Sequence, residues 1–367
     1  ALLKAILNSS IKIAFNKAKK QKNNKENKRK KIKEKNLKYF DDIRTDLDLV
    51  KEQVNETTII KWKRDKNYKE IIELNEKVDP EDFCTNINNT MGDIIEYIQP
   101  DYEMELSSIT NINDYSINSI NSLKMTNNQL NSYDNNLKEA WKISTGKGVT
   151  IALIDTGIDI NHSLFSKNIV KGYDFYNDND NVFKPELGME QVHGTHLAGI
   201  IAQTAPDCKI MPLKAFENGK AYTSDIIDAI DFAEKNGVNI VNMSFGCTNE
   251  NLVLKEKIKN SSMLFICAAG NSRLNLDNNP IYPAAYGLEN TISVASTNQD
   301  NGMSYFSNYG ENKVDVAALG RDVYSSYPDN KYGIMNGTSM SAAYVSGAAA
   351  LVKSIFKTED LKKILID

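Results

Sequence analysis

Asn336-Gly337-Thr338-Ser339-Met340-Ser341-Ala342-Ala343-Tyr344-Val345-Ser346-Gly347, continuing into Ala348-Ala349-Ala350-Leu351-Val352, is the stretch on which the reading of this chain turns. Asn336-Gly337 is a turn signal, and the Ala, Val, Met and Leu after it have helix length, so Thr338 and Ser339 fall at a helix N-terminus. Unpaired N–H groups and the positive end of the helix dipole favour negative charge there, such as an oxyanion forming beside a serine that attacks a carbonyl. A cap on a buried helix is the plainer role for Ser339, and this stretch alone does not choose between the two.

The chain has 367 residues, 41% of them hydrophobic and 25% charged, which suits a soluble protein of two or three domains and excludes collagen, membrane-channel and disordered classes. Its net charge of -4 hides an asymmetry, since residues 17–38 hold twelve Lys/Arg against two Glu. That tract lacks interleaved aromatics, so a solvated tail over residues 1–38 is expected, without nucleic acid as a partner. The apolar residues before it are broken by Lys4 and Lys12 and are too few to span a bilayer, so no stable membrane insertion is expected. Cys84, Cys208, Cys247 and Cys267 form no CxxC pair and read as small hydrophobes.

Residues 39–107 read as a small α+β domain: a strand at 57–62, helical spacing over 68–77, a short helix over 80–89, and a strand over 93–102 ended by Pro100. The Asn/Ser-rich residues 108–139 read as an exposed connector, the kind of segment that proteases cut. From Trp141 the texture changes. Residues 149–154 are a continuous apolar run of the kind found in buried parallel strands, closed by Asp155-Thr156-Gly157, and similar runs follow at 210–216, 238–245, 263–268, 291–295 and 314–318. Helical patterns lie between them, as at 223–236, so residues 140–367 are expected to form an α/β domain with a mostly parallel central sheet and helices on both faces. Reactive side chains gather at the carboxyl ends of such strands. Asp155, Ser244-Phe245-Gly246 and Ala269-Gly270-Asn271 stand at such ends, and His193-Gly194-Thr195-His196 opens a small-residue helix.

Ile154-Asp155-Thr156-Gly157, His193-Gly194-Thr195-His196, Ala269-Gly270-Asn271 and Gly337-Thr338-Ser339-Met340, in that order, resemble the motifs of the subtilisin-like serine proteases. The resemblance covers about residues 140–356 and implies a three-layer subtilisin-like fold. It implies that Ser339 is the nucleophile, that His193 takes and returns its proton, that Asp155 orients the imidazole, and that Asn271 donates to the oxyanion beside the Ser339 N–H. His196, three residues on, reads as a packed helix histidine and His162 as a surface one. An extended peptide would pair between Ser244-Phe245-Gly246 and the edge at Asn218, Gly219, Lys220 and Ala221, with the pocket before the scissile bond near Ala268, Ala269 and Gly270. Asp277, in the loop 275–279, would favour a basic side chain there.

Three departures from the family pattern stand out. Ala343 occupies a position where many members have Pro; residues 202–206 leave no room for the inserted calcium loop of many secreted relatives; and the sequence stops at Asp367, soon after the Ser339 helix. No metal is expected at that loop, and no cofactor is implied. Residues 57–107 resemble, more loosely, the propeptide of the family, which implies a partner in cis that occupies the cleft and is released by self-cleavage between about Leu106 and Asn131. The expectation is a serine endopeptidase acting on peptide or protein substrates through an acyl-enzyme, made as a self-inhibited precursor, at the cell surface or secreted, with a cytoplasmic placement also open. A dedicated leader peptidase is one form of it. The alternative is a catalytically silent relative that keeps the cleft only to bind peptides.

Overall fold

The computed structural model describes residues 54–62, 69–75, 79–91, 95–107, 134–184, 191–356 and 361–366. The basic tail and most of the connector lie outside the described residues. The chain divides into two compact units, Ala1–Asp101 and Tyr102–Asp367. Within the first, β1 (Val54–Trp62), β2 (Lys69–Asn75), α1 (Pro80–Met91) and β3 (Ile95–Pro100) follow in order, with the sheet ordered β2-β1-β3 and both pairings antiparallel. Residues 68–77 were expected to be helical, and the described part of that stretch, Lys69–Asn75, is a strand instead. The central Ile71-Ile72 pair is β-branched and sits in register with Thr58 and Ile59 of β1, so cross-strand pairing overrides the weak helical spacing.

The second unit opens with β4 (Glu103–Leu106) and α2 (Asp134–Trp141), the latter taking the last residues of the expected connector. Then come β5 (Thr150–Asp155), β6 (Tyr173–Asp174), α3 (Val192–Thr204), β7 (Lys209–Lys214), β8 (Lys220–Tyr222), α4 (Thr223–Lys235), β9 (Ile240–Met243) and β10 (Phe245–Gly246). They are followed by α5 (Leu252–Lys259), β11 (Leu264–Ala268), β12 (Thr291–Thr297), β13 (Val316–Leu319), β14 (Val323–Tyr327), β15 (Lys331–Met335), α6 (Thr338–Ile355) and α7 (Leu361–Ile366). The seven-stranded sheet runs β13-β12-β11-β9-β5-β7-β6 with every pairing parallel. The uninterrupted apolar runs are explained by this: β9 and β11 are buried along their whole length, because a parallel sheet is covered on both faces. On one face Ile151, Leu153, Ile240 and Ile266 pack with Leu197, Ile201 and Ala342 of α3 and α6 in a single core.

Strand order reverses at β5, which has β7 on one side and β9 on the other. Such a switch point opens a crevice at the carboxyl ends of the strands, and Asp155 is the last residue of β5. The helix α3 approaches this crevice closely, since a Cβ on Gly194 would lie 2.2 Å from Gly157 O and 3.0 Å from Asp155 Oδ1.

His162, expected at the surface, is fully buried. It stacks on Phe165 at 5.1 Å, its Nδ1 accepts from Leu164 N at 3.2 Å, and its Nε2 donates to Lys331 O at 3.1 Å. Two neighbours in sequence and one carbonyl 169 positions on offset the cost of burying a polar ring, which spacing in sequence does not reveal. His196 is packed as expected, with Nε2 donating to Val323 O at 3.1 Å and the Tyr327 ring 5.8 Å away edge-on. Burial, with His193 adding to it, lowers the His196 pKa to about 3. In the unfolded chain the same ring titrates near ~6.5, so the unfolded state binds the proton first. Its contribution to stability is complete above about pH 6.5 and declines as the pH falls toward 3, with a slope of at most ~1.4 kcal/mol per pH unit. Urea unfolding of the Ser339→Ala chain between pH 7.5 and 4.5 should show this decline, and His196→Gln should flatten it by about one proton.

Candidate active site

His193 is the second residue of α3, and its buried ring meets the end of β5. Its Nδ1 lies 2.9 Å from both Asp155 oxygens, so this nitrogen carries the hydrogen and donates. Asp155 Oδ1 is held in turn by Thr156 N at 2.8 Å and Thr156 Oγ1 at 3.1 Å. His193 Nε2 is thereby left with a free lone pair, buried and without a hydrogen-bond partner among the described residues. That is the tautomer a general base needs.

Ser339, at the first turn of α6, is also buried. Its hydroxyl donates to Ser107 O at 2.6 Å, with Ser244 O at 3.2 Å. Asn271 Nδ2 donates to the same Ser107 oxygen at 2.6 Å. The structure thus joins Asp155 to His193, and Ser339 to Asn271 through one carbonyl, while no hydrogen bond links Ser339 Oγ to His193 Nε2. The Ser107 carbonyl accepts the hydroxyl's hydrogen bond instead, and long or absent hydrogen bonds of this kind are common before a reacting complex forms.

Asn271 is aimed by its neighbours. Its Oδ1 accepts from Thr338 N at 2.9 Å and Thr338 Oγ1 at 3.0 Å, which leaves Nδ2 facing Ser107 O. Thr338 Oγ1 also accepts from Gly270 N at 3.0 Å. Gly270 has φ +98, and a Cβ there would meet Asn308 Nδ2 at 2.5 Å, so both backbone and space require glycine. Asn308 folds this loop by donating to Ala269 O at 2.8 Å and accepting from Ser272 N and Leu274 N at 3.0 and 2.8 Å. Behind Ser339, Asn242 Nδ2 donates to Ser244 Oγ at 2.9 Å, and Ser244 Oγ donates to Ser339 O at 3.2 Å.

The segment ending in Ser107 is a strand of the chain itself. β4 lies between β10 and β8, antiparallel to both, with Phe245 opposite Leu106, Gly246 opposite Glu105, Glu105 opposite Lys220, Met104 opposite Ala221 and Glu103 opposite Tyr222. Ser107 N donates to Ser244 O at 2.9 Å, and Leu106 N to Gly219 O at 3.4 Å. Ala269 is fully buried beside the Gly270 turn. The Asp277 carboxylate accepts from Glu311 N at 2.9 Å and Asn312 N at 3.2 Å, which ties its loop to the segment at 311–312.

A sequence model of the subtilase family matches residues 146–367. The chain belongs to that family. It is 38% identical over 230 residues to a thermophilic serine proteinase of Bacillus sp. (strain AK1), covering 59% of this chain and 55% of that one, so it spans about half the length of that relative. Thermitase of Thermoactinomyces vulgaris is 37% identical over 230 residues, covering 59% of this chain and 78% of thermitase. The major intracellular serine protease of Bacillus subtilis (strain 168) is 36% identical over 233 residues, with 59% and 72% covered. Among solved structures, a cold adapted subtilisin-like serine proteinase superposes with a TM-score of 0.54 at 31% identity, covering 60% of this chain and 81% of that one. The fold is the subtilisin-like one, with its helices on both sides of a parallel sheet.

In this subtilase, Thr338, Asn308 and Asn242 went unremarked in sequence as site residues because each acts on another side chain or loop, and a lone Asn or Thr at a turn carries no mark of its partner. Ser107 was unremarked because it enters the site through its backbone. No helix among the described residues is long and apolar enough to cross a membrane. Replacing Thr338 by Val should remove one of the two hydrogen bonds that aim Asn271, leaving only the Thr338 N–H on its Oδ1, and should leave Gly270 N without its hydroxyl partner, lowering kcat about tenfold, equivalent to ~1.4 kcal/mol, with KM within twofold. Thr338→Ser should restore most of the loss in the same steady-state assay.

Proposed function

We propose that the chain is a serine endopeptidase precursor that cuts its own peptide bond between Ser107 and Ser108. The observation that carries this reading is the Ser107 carbonyl oxygen, held 2.6 Å from both Asn271 Nδ2 and Ser339 Oγ. In the proposed reaction Ser339 Oγ attacks the Ser107 carbonyl carbon, and His193 Nε2 takes the hydroxyl proton. Asp155, hydrogen-bonded to Nδ1, stabilises the imidazolium, while Asn271 strengthens its bond to the oxyanion as charge develops on the oxygen. His193 then gives the proton to the Ser108 nitrogen as the peptide bond breaks, which leaves an ester between Ser107 and Ser339. Water, deprotonated by the same imidazole, releases a Ser107 carboxylate and restores the Ser339 hydroxyl.

Other peptides and proteins would enter the cleft once the cis strand leaves, by pairing with β10 and β8 as β4 does. The first unit, whose residues lead into β4, fits the part of a propeptide. Because the Ser339 hydroxyl donates to the carbonyl and not to His193, a silent peptide-binding relative stays as the second reading. Intact-mass analysis of the purified full chain over time separates them. The parent chain should break between Ser107 and Ser108 and react at Ser339 with a fluorophosphonate, and Ser339→Ala should do neither. Asn271→Ala should slow the cut about 10²- to 10³-fold, the range known within this family for loss of such a donor. An intact parent chain without Ser339 labelling would leave only the silent reading.

A further inference from the structure

We propose that this enzyme selects substrates bearing an acidic residue five positions before the cut, and that Lys220 is the residue that reads it. The inference rests on the endopeptidase reading above and names the substrate class for that site. The occupant of the cleft has the pattern Glu103-Met104-Glu105-Leu106-Ser107: acidic, bulky apolar, acidic, leucine, small. Its side chains alternate as a strand requires, with Glu103 and Glu105 exposed and Met104 completely buried. Strand pairing supplies affinity for any extended peptide, so discrimination falls to the side chains the edges meet.

At the outer end of the cleft, Lys220 Nζ lies 2.8 Å from Glu103 Oε2, a contact made diagonally across β4 and β8. The hydrogen bond and charge of Glu103 raise the Lys220 pKa, with Glu105 adding to the effect. Glu105 stands opposite Lys220 and acts on it only through its charge, while Glu217 is engaged elsewhere, its Oε2 accepting from Lys214 Nζ at 2.8 Å with Lys184 Nζ at 3.7 Å. Lys220 is free to swing to a different acidic side chain when another peptide replaces β4, because its stem is half exposed in the pair. At the other end, Ser107 fills the position before the cut with a small buried side chain, and Asp277, the carboxylate expected to attract a basic residue there, is bound to the backbone of Glu311 and Asn312.

The test uses the autoprocessed full chain and internally quenched peptides built on Tyr-Glu-Met-Glu-Leu-Ser-Ser-Ile, the sequence of residues 102–109. Replacing the first Glu by Gln should lower kcat/KM about two- to fivefold at low ionic strength, the range for an exposed ion pair, and raising the salt should shrink the difference. Replacing it by Lys should lower kcat/KM further, and Lys220→Glu should reverse the order so that the Lys peptide becomes the better substrate. Equal cleavage of the Glu and Gln peptides at low salt, or the same Glu preference in Lys220→Glu, would overturn the inference while Ser339 still reacts with a fluorophosphonate. No cleavage of any peptide and no labelling of Ser339 would instead remove the endopeptidase reading and this inference with it.

Discussion

A buried hydrogen bond between the end of one strand and the start of one helix governs this molecule. Asp155 and His193 are 38 positions apart in the chain, yet their side chains meet at 2.9 Å because β5 lies where the strand order reverses and α3 begins over the crevice that the reversal opens. The approach is close enough that residue 194 has room for no side chain. Since a carboxylate can only accept, the contact places the imidazole hydrogen on Nδ1 and leaves Nε2 with its lone pair, which is the chemical state the proposed reaction needs. Neither residue could be held this way by local structure, and the parallel sheet with its covering helices gives the pair a rigid frame.

The other half of the site is built from backbone and neutral amides. Asn271 would be an ordinary turn residue if Thr338 did not hold its carbonyl oxygen and leave the amide nitrogen pointing outward. Thr338 can do so because it leads α6, where its own N–H is one of the unpaired donors of a helix start. Two further layers keep the loop and the helix in register, Asn308 under the Gly270 turn and Asn242 beneath Ser244. β4 pairs antiparallel with β10 and β8, and in the proposed reading another extended chain would enter by the same pairing that builds any sheet. Pairing through main-chain atoms explains how a segment lacking any catalytic motif lies against Ser339 and Asn271.

The departures from expectation share a cause. His162 was expected at the surface because polar residues usually are; its burial depends on Phe165 next to it and on Lys331, 169 positions away. Asp277 was expected at the rim of the pocket because it is acidic and near that loop, and what its oxygens meet are backbone N–H groups 34 and 35 positions on, which its local sequence does not reveal. Residues 69–75 have enough helical spacing to suggest a helix, and a neighbouring strand edge decides the matter. In each case the deciding partner is remote, and periodicity over a short window carries no information about it.

By itself the sequence determined the layer architecture of the second unit, because unbroken apolar runs alternating with amphipathic helices leave a covered parallel sheet as the arrangement that buries them. It also determined membership of the subtilase family, since four short motifs in one order carry backbone requirements, glycines above all, that side-chain chemistry alone does not impose. Only the tertiary structure decided which atoms face one another: that Asn271 points its amide at Ser107, that Lys220 reaches Glu103, and that Thr338, Asn308 and Asn242 support the site. The physical reason is range. Propensity and periodicity act over a turn or two of chain, while hydrogen bonds and ion pairs in a cleft join residues whose separation in sequence is arbitrary and whose meeting depends on the packing of the whole sheet.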